Sequence, residues 1–170
     1  DFTLLNEDPE AVSCKESMRH DEQDQLYSAV TEEGDAISRE AFDDVLSGMN
    51  SRFAQSMREE RLAIAFRMLF AAQRRDDCQY VVRRNEQWNE TDRLVPSLQV
   101  IFAWRNAPKH NFLYRLAKMV YRHRLAMVRM SATYIHPYSD QSTLVMSIGL
   151  HGIEGEPAWE TTDLDDFIQE

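Results

Sequence analysis

The chain has 170 residues, 43% of them hydrophobic and 10% aromatic, and a formal net charge of −10. That composition excludes wholesale disorder and suits one domain with an extension. No apolar run reaches the ~18 residues that a membrane span needs, no signal-peptide pattern is present, and the two lone cysteines, Cys14 and Cys78, form neither a disulfide framework nor a zinc spacing. These features predict a cytoplasmic protein without membrane contact.

The negative charge is segregated. Residues 1–50 carry 14 acids against 3 bases, and residues 154–170 carry 7 acids and no base. Residues 51–75 hold 6 bases against 2 acids, and residues 98–153 hold 7 against 1. A basic centre can signal nucleic acid, but no aromatic-plus-basic cluster of known motif type accompanies it, so no nucleic-acid partner is expected. The acidic ends are expected instead to lie near the basic helices of the same or a neighbouring protomer.

Residues 1–35 are acidic and weakly patterned, compatible with a flexible tail or a short-helical arm. Short helices are predicted at Asp8-Pro9-Glu10 and over Asp21–Glu33, the second ended by Gly34. Residues 36–76 form a helical segment. Within it Ala41, Phe42, Val45 and Leu46 predict a helix between Ile37 and Met49, capped by Ser38 or Asp35. From 51 to 74, Phe53, Met57, Leu62, Ile64, Ala65, Met68, Leu69 and Ala72 predict one long helix with a wide apolar stripe and no Gly or Pro inside. Asp76-Asp77 breaks it.

Residues 77–170 read as an α+β domain. Cys78–Arg84 is a β segment placed to extend the downstream sheet at an edge, and Asn85–Pro96 is a polar connection. Leu98, Val100, Phe102 and Trp104 alternate with Gln99, Ile101, Ala103 and Arg105. Val128 to Tyr134 and Thr143 to Leu150 alternate in the same way. Each strand thus has one strongly apolar face and one small or polar face, which suits an antiparallel sheet covered by helices on one side. Between the first two strands, Phe112, Leu113, Leu116, Val120 and His123 define an amphipathic helix with Arg115, Lys118 and Arg122 turned outward. Pro108 precedes it, and Asn111 tolerates the unusual backbone angles of such a turn. His136-Pro137-Tyr138-Ser139-Asp140 is a compact turn. A closing helix has Thr162 as N-cap, Asp163 and Asp165 in its first turn, and Leu164, Phe167 and Ile168 as its stripe. The order is β-α-β-β-α, one strand short of a ferredoxin-like unit.

Catalytic machinery is missing from this pattern. The five glycines form no phosphate-binding fingerprint, and there is no HExxH, paired-cysteine or serine-elbow motif. None of His20, His110, His123, His136 and His151 stands four residues from another, so no metal site is predicted. A Cys78–His nucleophile pair competes with an inert, partly buried thiol as readings of Cys78. Asp163, Asp165 and Asp166 are accounted for by the helix dipole. The turn Arg105-Asn106-Ala107-Pro108-Lys109-His110-Asn111 leads into a helix N-terminus, whose free N–H groups favour an anion such as a carboxylate. Arg105, Asn106, Lys109, His110 and Asn111 are therefore the candidate effector site. An ordinary solvent-facing basic turn is the alternative.

The order from Leu98 to Glu170 resembles the ACT family of small βαββαβ regulatory modules, which bind amino acids at paired interfaces. The runs FAWRNAPKHNFLYRLAKMVYRHRLAMVRMSATYIHPYSDQSTLVMSIGLHG and RRDDCQYVVRRNEQW are similar to the N-terminal ACT-like region of large bacterial NAD-dependent glutamate dehydrogenases, over roughly residues 60–170. The resemblance implies a piece of a parent oxidoreductase that oxidatively deaminates glutamate to 2-oxoglutarate, with NAD bound downstream and no cofactor in this segment. It implies a non-catalytic regulatory or assembly role, contact with the downstream catalytic region, homo-oligomerisation and a small amino-acid effector. A stand-alone amino-acid-sensing ACT-like binding module or co-regulator is the alternative function. Where ACT modules carry a glycine before and after the first helix, this chain has Asn111 and Arg124. The final strand is missing, or replaced by Cys78–Arg84.

Overall fold

A computed structural model describes residues 12–32, 36–88, 94–108, 111–137, 139–140, 142–155 and 164–169. The chain is α+β, with a four-stranded antiparallel sheet and helices. Five helices come first: α1 (Cys14–Ser17), α2 (His20–Glu32), α3 (Arg39–Gly48), α4 (Ser51–Gln55) and α5 (Glu59–Arg75). Then follow β1 (Cys78–Trp88), β2 (Leu94–Arg105), α6 (Phe112–Arg122), β3 (Leu125–Ile135), β4 (Thr143–Gly152) and α7 (Leu164–Gln169). The strands lie in the order β1-β2-β4-β3, so β4 separates the two strands joined by α6, and β1 occupies the edge beside β2. The predicted edge placement of Cys78–Arg84 is therefore observed, and the strand runs on to Trp88. Residues 85–88 and 94–96, predicted as part of a polar connection, belong to strands.

By contact density the chain falls into two compact units. The first contains Asp1–Gln79, Phe102–Ala107 and Ser131–Met146, and the second contains Tyr80–Ile101, Pro108–Met130 and Ser147–Glu170.

In the first unit the helix expected between Ile37 and Met49 forms with its expected cap, and a further short helix, α1, precedes it. Ser38 Oγ accepts the Ala41 N–H at 3.2 Å and starts α3. Ser13 and Glu16 make a reciprocal capping box at α1. The helix predicted over Asp21–Glu33 is α2, while Asp8-Pro9-Glu10, Asp35, Thr162 and Asp163 lie outside the described residues. The long helix predicted from 51 to 74 is two helices, broken at Ser56-Met57-Arg58. The reason is phase. Phe53 and Leu62 stand nine residues apart, about half a turn out of register at ~100° per residue. One straight helix would point them to opposite sides, whereas both are buried here. Ser56 ends α4 by donating to the Phe53 carbonyl at 2.6 Å, and Glu59 and Glu60 favour the start of α5 through the helix dipole.

Phe42, Phe53, Phe66 and Leu69 are fully buried, and the Phe42 and Phe66 rings meet at 5.2 Å. The helices dock on β3 through hydroxyl groups as well. Ser131, Thr133 and Ile135 share one strand face. On it the Thr133 hydroxyl accepts the Asn50 N–H at 3.3 Å, and the Ser56 and Ser131 hydroxyls pair at 3.0 Å. These small polar residues, predicted as the non-core face, form part of an interface. Ala132 and Tyr134 on the opposite face are buried as well. Residues 143–150 of β4 are buried throughout. The expectation of strands covered on one side thus fails, because small polar residues let a second layer approach closely. Val128, assigned to the apolar face, is exposed.

In the second unit, α6 turns Arg115, Lys118 and Arg122 outward as predicted and buries Val120, while Phe112, Leu113 and Leu116 are half-covered. His123 at its end places its ring edge-on to Phe167 of α7 at 5.4 Å. Gln99 Nε2 donates to Ser147 Oγ at 3.1 Å in a buried pair. Among the described residues no helix is long and apolar enough to cross a membrane.

Candidate functional site

The candidate turn begins where β2 ends at Arg105. Its backbone N–H donates to the Asp77 carbonyl at 3.2 Å, and the following Asn106 adopts a left-handed backbone (φ 54°) while its N–H donates to the Ser142 carbonyl at 2.9 Å. Asn is among the few residues that accept this conformation at low cost. These backbone bonds fix both side chains towards the end of α5. That helix stops at Asp76, itself left-handed (φ 55°), with the Asp77 N–H reaching back to the Ala72 carbonyl at 3.4 Å. A six-to-one bond of this kind closes a Schellman-type end and satisfies one orphan carbonyl.

Arg105 supplies the next partner. Its guanidinium donates through one Nη to the Gln73 carbonyl at 3.0 Å, and its Nε lies 3.2 Å from Asp76 Oδ1, an ion-pair distance without hydrogen-bond alignment. Asn106 Nδ2 also approaches Asp76 Oδ1, at 3.5 Å. The two predicted residues thus converge, and what they converge on is a helix C-terminus. A cation beside the last carbonyls of a helix is favourable for the same dipole reason as an anion at its start. Arg105 and Asn106 are engaged within the fold.

Asn111 opens α6 in the second unit. Its φ of 60° bears out the expectation of a left-handed residue here, and its own side chain makes no capping hydrogen bond to α6. A helix N-terminus favours an anion through its dipole and its N–H groups. Lys109 and His110 lie outside the described residues.

The thiols are poorly suited to nucleophilic work. Burial pushes Cys14 up to about 12, and its Sγ points to the Asn50 carbonyl at 3.5 Å. Cys78 is exposed as a residue, yet desolvation of its thiol, then the Asp77 carboxylate, push it up to about 11. A catalytic thiol needs the opposite shift. His136 Nε2 lies 2.9 Å from Asp44 Oδ2, joining α3 to the turn after β3, and burial lowers the pKa of His151. Among the described residues no group of three His, Cys, Asp or Glu side chains is placed to hold a metal ion.

Two features escaped the sequence reading. Asp76, taken as a helix breaker, is the anchor for Arg105 and Asn106. Tyr114 and Tyr121 of α6 are 70% and 71% exposed; their spacing of seven residues on an acid-free helix was the available signal. Comparison with protein families, curated proteins and solved structures returns no match.

Proposed function

We propose that this chain is a non-catalytic regulatory and assembly segment of a large NAD-dependent glutamate dehydrogenase, with an ACT-like unit built from β2, α6, β3 and β4. The sheet order supports the ACT-like part of this reading, and the glutamate dehydrogenase part rests on the sequence resemblance. A βαββ run whose last strand inserts between the first two is the split arrangement of ferredoxin-like folds. β1 at the open edge supplies the fourth strand that the run itself lacks. The backbone adds support: Asn111 and Arg124, which stand where ACT modules carry glycine, both have positive φ, 60° and 57°. A left-handed residue at each end of α6 is the conformation those glycines would serve.

In this reading the effector is a small amino acid whose carboxylate meets the N-terminus of α6, where the helix dipole favours an anion, with Lys109 and His110 preceding it in the sequence. Arg105 and Asn106 are engaged at the end of α5. The segment contributes no catalytic residue, and NAD and glutamate are handled by the downstream part of the same polypeptide in a homo-oligomer. The test is NAD-dependent glutamate oxidation by that longer polypeptide, with and without residues 1–170, across a panel of amino acids. Retained oxidation with lost effector response supports a regulatory segment, and loss of activity together with oligomerisation supports assembly. A polypeptide that oxidises no glutamate overturns the reading.

A further inference from the structure

Helix α6 contains no acidic residue. Seven residues are close to two helical turns, so Tyr114 and Tyr121 stand in one row along its outward side. Arg115 and Arg122 form a second row by the same spacing, and Lys118 falls between the rows. All five are exposed. Among the described residues Arg115 and Lys118 make no ion pair. The face is therefore aromatic and cationic, with its charge uncompensated at two positions of three.

The opposite surface chemistry occurs at the junction of α2 and α3. Arg39 already partners Asp24 at 2.6 Å and Asp43 at 3.1 Å, and lies over the Tyr27 and Phe42 rings. Glu32, ending α2, and Glu40, opening α3, are exposed and make no ion pair among the described residues. Tyr27 Oη donates to the Ile37 carbonyl at 2.7 Å, which ties α2 to the segment entering α3 and holds this acidic corner together.

We propose that the outward face of α6 is a self-association surface that receives the acidic α2–α3 corner of a second copy of this chain. The inference deepens the assembly role above and rests on that part of it. Tyrosines supply broad contact area at little conformational cost, and Tyr and Arg are over-represented among residues that dominate binding. The complementary charges set orientation and encounter rate. Two different patches meet, so the contact is either made twice in a two-fold dimer or made head-to-tail in a ring or an open chain. Nucleic acid is disfavoured because a chain of net charge −10 repels a polyanion. A membrane surface is disfavoured because the outward face offers no Leu, Ile, Val or Phe to insert.

Sedimentation velocity of the 170-residue chain over a concentration series tests this, and needs neither NAD nor an amino acid, so its outcome is separate from that of the dehydrogenase reading. Association is expected at 0.1 M salt and should be lost at 1 M, where the screening length falls from about 10 Å to about 3 Å. Lys118→Glu and Glu40→Lys should each weaken association about fivefold or more, and the two together should restore most of it. Tyr114→Ser with Tyr121→Ser should weaken it while keeping the salt dependence. Unchanged circular dichroism of each variant excludes misfolding. A monomer at every concentration overturns the proposal. Association indifferent to Lys118→Glu, or a double swap that restores nothing, does so equally. Salt-sensitive capture of a labelled single-stranded oligonucleotide, lost in Lys118→Glu, would assign the face to nucleic acid instead.

Discussion

Helices α5 and α6 are both amphipathic, yet they do different work. α5 buries Leu62, Ala63, Ala65, Phe66, Leu69, Phe70 and Ala72, seven of its 17 residues. α6 buries Val120 alone and presents Tyr114 and Tyr121 to solvent. Its pattern is nevertheless the cleaner of the two, with cations on one side and apolar residues on the other. The lesson is that amphipathic pattern reports which way a helix faces, while burial depends on how much surface neighbouring elements supply. α5 carries the fold; α6 is placed to present a surface.

The largest effect expected from this contrast is at Phe66. Its ring meets Phe42 at 5.2 Å and Phe70 at 6.3 Å in a fully buried setting. Phe66→Ala should cost roughly 3–5 kcal/mol in urea denaturation, through lost burial plus the cavity left behind. Val120→Ala in α6 should cost about 2 kcal/mol or less, because fewer buried atoms are removed. Equal losses at the two positions would break the contrast.

Alkaline pH probes the helical region again, through Cys14. Burial raises its folded pKa from 9.0 to about 12. Above pH 9 the unfolded thiol ionises while the folded one stays protonated, so stability falls as pH rises towards 12, by up to about 1.4 kcal/mol per pH unit. Below pH 9 this contribution is fully present. Cys14→Ala should flatten the slope between pH 9 and 11 relative to the unmodified chain, which corrects for the other groups that titrate there. In the folded chain a thiol reagent at pH 8 should label exposed Cys78 and leave Cys14 unmodified until denaturant is added.

At the end of α5, Arg105 links a strand to a helix terminus. Arg105→Met keeps the aliphatic stem but removes the partner of the Gln73 carbonyl and of Asp76, and should cost roughly 1–3 kcal/mol. Arg105→Lys, with a point charge in place of the fork, should recover only part of this. A loss of amino-acid binding without loss of stability would instead return Arg105 to the ligand. This residue also shows where the sequence was and was not legible. A cation beside a turn before a helix reads as an anion site, because chain order shows the helix that follows and hides the helix end 30 residues upstream. Caps such as Ser38 were legible because their partners are three residues away. Thr133 and Ser131 read as a solvent face because hydroxyls that dock on α4 look like hydroxyls that meet water. The break between α4 and α5 was present as a phase slip from Phe53 to Leu62, outweighed in the reading by strong helix formers.

The smallest effect concerns the backbone at the end of α6. Arg124 is left-handed (φ 57°), its N–H donating to the Tyr121 carbonyl at 3.0 Å and its carbonyl accepting the Ile153 N–H at 3.0 Å. Those bonds hold the residue in a conformation that costs an L side chain about 1 kcal/mol. Arg124→Ala removes the side chain and leaves that cost, whereas Arg124→Gly removes both, at the expense of a more flexible unfolded chain. Gly should therefore be more stable than Ala here by about 0.5–1 kcal/mol, and the order should invert within the same helix, where Ala117→Gly is expected to cost ~1 kcal/mol. At Asn111 the gain from Gly should be smaller than at Arg124, since Asn tolerates positive φ. The pair of positions separates two origins for the stability of α6. If Gly gains nothing at Arg124, the left-handed end is not strained and the cation is retained for its packing. If it gains as expected, the left-handed end of α6 is strained for any residue with a Cβ, and Arg124 occupies it against that cost.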